Sequence, residues 1–478
     1  MRKLFAFTVV VLLQVSLQGQ MKSVVAAQPL VFTHVTVIDA TGAAPQPDMA
    51  VVISGNRIVE LDKSGKVNIP TNARIVDAKG KYMIPGLWDM HVHIFSYDKD
   101  PSGQPPHEDR FPLFITNGVT SLRLMWVRKD QVGQVEGWRK QSVEQPGLVP
   151  RIAAMGTLVD GSPPTYPNSD VVNTADEARR MVNKIKVSGV DFVKVYWDLS
   201  PEAYFAIVDE ARKQHIPFAG HVPMKVTALE VSDAGQKSIE HLDGILIACS
   251  SREQELMNIE IKDWNEKYQK QMLETFDEPK CGQLLSQFKK NGTWQVPTLV
   301  IHNRGPLALE GSLAVHERLK YIPNDEREKW RNFSSQLENR TAEQISNNQK
   351  FWQMNLDLVG AMNRSGVEIM AGADVGNPYI YPGFSLHDEL ALYVKAGLTP
   401  MEALQSATRN PARFLAMQDS LGTIERGKLA DLVLLDANPL QDISNTQRIN
   451  AVVISGKLLN RKSLDKMLAD VEAIAAKK

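Results

Sequence analysis

The chain has 478 residues, room for one large domain and a smaller one, with 43% hydrophobic and 23% charged residues. Lys+Arg 54 against Asp+Glu 55 gives a net charge of -1 with no basic run, which argues against nucleic acid as a partner. The two cysteines, Cys249 and Cys281, form no Cys-x-x-Cys, which excludes a zinc ribbon or a thioredoxin-like centre.

At the N-terminus Arg2 and Lys3 precede the apolar stretch LFAFTVVVLLQVSL and the small-residue run SVVAAQ. That order reads as a signal peptide over residues 1–27, cleaved after Ala27. The apolar stretch falls short of the roughly 20 residues that span a bilayer. A periplasmic or secreted protein is expected, with no stable membrane insertion after cleavage. Export would permit a disulfide between Cys249 and Cys281. Two reduced, partly buried thiols read equally well.

From residue 28, LVFTHVTVID and MAVVISGNRIVEL alternate like strands around a Gly55-Asn56 turn, and GKLADLVLLDA and INAVVISGKLLN do the same near the other end. A small β-sandwich domain built from both chain ends is expected, over residues 28–84 and 421–460, with a C-terminal helix over 461–478. Between them, residues 85–420 offer the strands MIPGLWDMHVHI, GVTSLRLM, RIAAMG, DFVKVYW, IPFAGHV, KSIEHL, WQVPTLVIH and VEIMAGAD. Helix-like segments lie between several of them. Ser200-Pro201-Glu202 and Thr399-Pro400-Met401-Glu402 read as helix starts. Eight strand-then-helix units predict an α/β fold, a (β/α)8 TIM barrel. Residues 243–293 and 303–365 are too long for plain crossovers. They are expected to cover the catalytic face or to decorate the surface.

Four histidines close candidate strands: His91 and His93 the first, His221 the fifth, His241 the sixth. His91 and His93 lie two apart on a strand, so both rings project to one side. Asp374 closes the eighth strand. Lys194 sits inside the apolar fourth, where a bare ammonium is costly. Strand C-termini of such a barrel converge on one mouth. Nitrogen and oxygen donors gathered there suit Zn2+ or a similar ion. His215 and His316 read as solvated surface residues, and His34 and His107 lie outside the barrel strands. Asp89 shares the parity of His91 and His93 and is expected one layer deeper. It would either bond a ligand histidine or serve as a buried structural carboxylate.

MIPGLWDMHVH, VKV, GHV, SIEHL and AGAD, in that order, resemble the amidohydrolase superfamily. The nearest branch is the imidazolonepropionase-related one, with the metal-dependent Xaa-Pro-type dipeptidases. GLTPMEALQSATRNPARFL and LGTIERGKLADLVLLD resemble the return into that family's β-domain, so the likeness covers nearly the whole mature chain. The resemblance implies two divalent metal ions, zinc foremost. His91 and His93 match the ligands of the more buried ion, and His221 and His241 those of the second. Lys194 matches a lysine that takes up CO2, becoming N6-carboxylysine, and bridges the two. Burial favours the neutral amine from which that carbamate forms. Asp374 matches an aspartate that touches metal and shuttles the proton for a metal-bridged hydroxide.

Two departures lie near where substrate would bind. Many relatives carry Arg-Asp after the second strand, whereas this chain has Arg123 then Leu124, and GHVPMKV replaces the small residue and glycine common after the fifth-strand histidine. Arg123, Tyr196 and His302 are the candidate substrate contacts, with packing or a solvated rim the alternative for Tyr196 and His302. His387 and Glu389 are candidates for the rim or a helix start. The expected reaction is hydrolysis of an amide bond in a small substrate, a dipeptide or N-acyl amino acid. A cyclic amide, lactone or organophosphate ester is the alternative. Lys194 argues against an imidazolonepropionase proper, whose centre looks mononuclear and lacks that lysine. A non-catalytic binding protein would predict decay of the ligand set, and no ligand is missing. A homo-oligomer is compatible with the sequence.

Overall fold

The structure, a computed structural model, describes residues 28–95, 107–259, 266–313, 315–338 and 340–478. The expected signal peptide lies outside the described residues.

Seven parallel strands stand side by side in chain order: Leu87–Val92, Val119–Leu124, Arg151–Asp160, Phe192–Val195, Phe218–Gly220, Ser238–Glu240 and Trp294–Val296. Residues 368–375 take the eighth place without forming a regular strand. Gln295 N donates to Glu368 O at 2.9 Å on one side, and Asp374 N donates to His91 O at 2.8 Å on the other. This is a TIM-like barrel whose ring is closed by backbone bonds of an irregular segment.

Gly372 explains the irregularity. A Cβ there would lie 2.7 Å from Val296 Cγ1 and 2.9 Å from His91 N, so only glycine lets the eighth segment come this close. Two residues on, Asp374 turns out of the strand direction at φ 59°. Along the fourth strand, Val193 and Val195 join Val182 and Ile207 of the surrounding helices in the main apolar core, while Lys194 takes the inward face. The helices begin as their residues dictate. Ser200 Oγ accepts from Ala203 N ahead of Pro201, and Thr399 and Glu402 cap each other reciprocally.

Both chain ends contribute to a second sheet, in the order Lys457–Asn460, Ile449–Ile454, Leu432–Leu435, Tyr82–Pro85, Leu30–Val37, Gln46–Ser54, Arg57–Lys63. Arg74–Asp77 also pairs with Leu30–Val37. Its own core gathers Phe32, Val51, Ile53, Met83, Leu432 and Val453. The sheet is continuous, Pro85 pairing with Leu432 across the join. The chain then ends in the helix Arg461–Ala475.

The long excursions are helical. Glu266–Glu274 and Glu278–Asn291 belong to the first, and Asn324–Glu338 and Ala342–Ser365 to the second. A Cys249–Cys281 disulfide, with Cα atoms 4.4 Å apart, ties the first together. Three expectations are corrected here. The seventh strand stops at Val296, and Thr298, at φ 47°, turns the chain into the helix Leu299–Leu309. His302 therefore sits on a helix rather than at a strand end. His387 and Glu389 lie fully buried within the helix Phe384–Lys395, not on the rim, and the helix-start alternative holds for His387, which sits in the first turn. Glu389 accepts the backbone N–H groups of Leu299 and Val300 at 2.8 Å each, capping the helix that carries His302.

Candidate metal centre and active site

Each strand end delivers its side chain to one cavity of about 290 Å³, lined by His93, Lys194, His221, His241 and Asp374 among others. His91 lies just beneath, its ring 4.5 Å from that of His241 and 5.2 Å from that of His93, centroid to centroid. The His221 and His241 rings are 4.9 Å apart. Asp374 Oδ1 stands 3.4 Å from His91 Nε2 and 3.3 Å from His93 Nε2. Ligand atoms of His91, His93 and Asp374 all lie within 4.8 Å of one another. The six residues expected as metal ligands therefore come together. His241 and Asp374 both sit at positive φ, 61° and 59°, a conformation that histidine and aspartate tolerate better than most residues.

Hydrogen bonds decide which ring nitrogens remain for a cation. His91 Nδ1 meets Glu240 Oε2 at 2.8 Å, leaving Nε2 buried without a hydrogen bond among the described residues. His241 Nδ1 meets Thr298 Oγ1 at 2.8 Å, leaving its Nε2. His221 Nδ1 is likewise buried without a hydrogen-bond partner among the described residues. Such orphaned nitrogens are costly in a dry site unless something binds them. The donor set fits divalent cations.

The electrostatics agree. Burial pushes the His93 and His241 pKa values down to about 4 and holds those of His91 and His221 well below the usual imidazole range, keeping the imidazoles neutral. Burial opposes the ionisation of Asp374, yet His91, His241 and His93 around it hold its carboxyl well below the usual carboxylate range. Burial lowers Lys194 to about 8, against the pull of Asp374 and Glu240. A fraction of neutral amine is thus present near neutral pH.

Asp89 is fully buried beneath this layer, and its Oδ1 accepts from His91 N at 3.1 Å and Ala373 N at 3.0 Å. It stitches the first strand to the eighth segment through the backbone of His91 and Ala373. The carboxylate on the ring is Glu240, which the sequence reading missed. Glu240 and Ser238 share the inward face of a strand only three residues long, too short for its period to be read from sequence.

Tyr196 lines the cavity, its ring 4.0 Å from that of His221, and Tyr166, also unforeseen, lies against it at 5.9 Å. His302 lines it too, with Nε2 3.1 Å from His241 O. Arg123 corrects the expectation of a substrate contact. It is 1% exposed, its Nη2 donates to both oxygens of Glu240 at 2.9 Å, and its Nε donates to Met90 O. Its charge is paired with Glu240, beneath the histidines. Asp243, a further unforeseen wall residue, accepts from Trp197 Nε1, and burial raises its pKa to about 8.

The comparisons agree with this geometry. Residues 329–459 match the amidohydrolase family. Over 90 residues the chain is 33% identical to the imidazolonepropionase of Aeromonas hydrophila, covering 19% of this chain and 22% of that one. The chain thus spans about a fifth of the length of the curated relatives it matches. Among solved structures, a bottromycin amidohydrolase has a TM-score of 0.73 at 21% identity, covering 93% of this chain and 90% of that one. A Xaa-Pro dipeptidase with bound methionine in its active site has a TM-score of 0.64 at 20% identity, covering 91% and 100%. These likenesses extend over the barrel and the terminal sheet alike, and establish the fold.

Proposed function

We propose, taking the amidohydrolase-family segment and this barrel as the premise, that the protein is a metal-dependent hydrolase cleaving an amide bond in a small substrate. A dipeptide or N-acyl amino acid is the substrate class. The observation that carries the reading is the gathering of His91, His93, Lys194, His221, His241 and Asp374 around one cavity, with His91 Nε2 and His221 Nδ1 buried without a hydrogen-bond partner among the described residues. The dipeptidase among the structural neighbours fits the substrate class, and a cavity of about 290 Å³ suits a small molecule.

His91 and His93 would hold one cation and His221 and His241 the other, with Asp374 and a carbamate on Lys194 reaching the pair. Divalent ions there, zinc by the nitrogen-rich donors, supply carbonyl polarisation and acidify water. The chain's own groups do the rest. Asp374, held ionised, accepts a proton from the attacking water on a carboxylate oxygen. It returns that proton to the amide nitrogen as the carbon–nitrogen bond breaks, leaving a carboxylic acid and an amine. The Tyr196 hydroxyl, kept protonated by burial, donates to the substrate carbonyl oxygen. Lys194 would give up two protons in all, one from its ammonium and one from Nζ as that nitrogen bonds to CO2, so that a costly buried cation becomes a carbamate anion available to the cations.

The protein works outside the cytoplasm in this reading. The disulfide fits an oxidising compartment, and no helix among the described residues is long and apolar enough to cross a membrane.

The deciding experiment joins metal analysis of the purified protein to a turnover panel of dipeptides, N-acyl amino acids, lactones and phosphoesters. About two metals per chain with amide turnover is expected. Turnover of lactones or phosphoesters alone would overturn the amide assignment.

A further inference from the structure

We propose that Arg304 forms the subsite for a carboxylate on the substrate, so that the enzyme selects amides carrying a free carboxyl group. This rests on the reading of the cavity as an amide-hydrolase site and narrows its substrate class.

Arg304 lies on the helix Leu299–Leu309 and lines the same cavity as Lys194, His241 and Asp374. Backbone groups aim it. Its Nε donates to Ile301 O at 3.1 Å and its Nη1 to Pro378 O at 3.2 Å. The Phe333 ring, 4.7 Å from the guanidinium carbon, covers one face and brings no formal charge. Among the described residues its hydrogen-bond partners are those two carbonyl oxygens, which leave three of the five N–H donors of a guanidinium.

Other buried or half-buried arginines of this fold are treated differently. Arg123 has Glu240, Arg110 has Glu326, and Arg151 has Asp431. Arg304, half-buried, faces the cavity without a carboxylate in ion-pair contact among the described residues, and burial pushes its pKa down to about 10 against the pull of Asp374. It is therefore still cationic at neutral pH, in a place where an unpaired cation is expensive. A ligand that brings two coplanar oxygens removes that cost, because the guanidinium fork matches a carboxylate in two parallel bonds. The pinned Nε and the stacked phenyl ring hold the fork still before the ligand arrives, which reduces the ordering lost on binding.

Kinetics on a Gly-Xaa dipeptide panel, against the same dipeptides amidated at the C-terminus, tests the subsite. Wild type should prefer the free acids by about 10²-fold or more in kcat/KM, the scale on which sites built for a charged hydrogen bond reject its absence. Arg304→Met should lose most of that preference, through KM. Arg304→Lys, which keeps the charge without the fork, should retain part of it. A wild type indifferent to amidation, or a folded Arg304→Met with the preference intact, would overturn the proposal. If Arg304→Met does not fold, undiminished preference in Arg304→Lys together with equal competition by inorganic phosphate would overturn the two-oxygen assignment.

Calorimetric titration with N-acetyl-L-leucine and N-acetyl-L-leucinamide reads the same subsite without turnover. Binding of the acid and not the amide, in a protein that cleaves no amide, would sink the hydrolase reading and leave the subsite standing. Cleavage of dipeptides with equal binding of acid and amide would do the reverse.

Discussion

Glu240 Oε2 stands 2.8 Å from Nδ1 of His91, and neither side chain has any exposed surface. The same carboxylate takes both donors of Arg123 Nη2. One acidic group thus orients a candidate ligand ring from below and neutralises a guanidinium sealed inside the barrel. Glu240→Gln should weaken metal binding about 10- to 100-fold, the usual effect of losing a ligand's outer partner. Competition against a chelator measures it. Glu240→Ala should cost the metal-free protein about 3–5 kcal/mol in denaturant unfolding, because Arg123 is left buried and unpaired. Wild-type metal affinity in the Gln variant would remove Glu240 from any role in the centre.

Lys194 separates a two-metal centre from a one-metal centre. Wild type should hold about two ions, and Lys194→Ala about one or fewer, with activity falling in step. A short carboxylic acid in solution should restore part of the activity by filling the gap. Two ions and normal turnover in Lys194→Ala would make Lys194 a buried structural lysine.

Asp374→Asn keeps the shape and the backbone bond to His91 O but cannot carry a proton. Turnover should fall about 10²- to 10⁴-fold. Metal content must be read on the same sample, since Asp374 also faces the ligand rings. A variant with full metal and near wild-type rate refutes the proton-carrier assignment.

His387 sits far from substrate chemistry, with Nδ1 2.9 Å from Thr446 Oγ1 and Nε2 3.0 Å from Asn117 O. Burial lowers its pKa to about 4. The unfolded chain binds a proton there near pH 6.5, which the folded chain refuses until about pH 4. Its contribution to stability is therefore complete above pH 6.5 and declines by about 1.4 kcal/mol per pH unit on acidification toward pH 4. His387→Gln should flatten the acid side of a stability–pH profile by about one proton. An unchanged slope between pH 6.5 and 4 would show that His387 is not the group responsible.

Thiol titration of the denatured, unreduced protein should find no free cysteine, because Cys249 and Cys281 are joined. Their sequence separation of 32 closes a loop whose release should lower stability by about 3–4 kcal/mol in the Cys249→Ala/Cys281→Ala protein. Two reactive thiols in the untreated protein would contradict the pairing.

Strand periodicity made the inward face of the barrel legible, and with it His91, His93, Lys194 and Asp374. Periodicity gives a face and not a height. Arg123 points inward as its parity requires, yet lies a layer too deep to meet a substrate. Glu240 and Arg304 escaped for opposite reasons. The strand carrying Glu240 is three residues long, too short to show a period. Residues 294–302 read as one long strand, and the left-handed turn at Thr298 that starts a helix leaves no apolar signature. The disulfide was open for a third reason, since a chain separation says nothing about distance in space.

The pairing of Pro85 with Leu432 makes the first barrel strand an immediate neighbour of residues near the far end of the chain. Gly86 N also donates to Asp431 O at 2.7 Å. During synthesis, the segment that positions His91 and His93 waits for a partner roughly 350 residues downstream, a separation that makes closure slow and late. A nascent chain stopped anywhere before that partner should expose the open edge of Tyr82–Pro85. The strand leading into His91 and His93 thus gains its neighbour only after the whole barrel has been synthesised, and truncation before Leu432–Leu435 should act first on folding yield rather than on turnover per folded molecule.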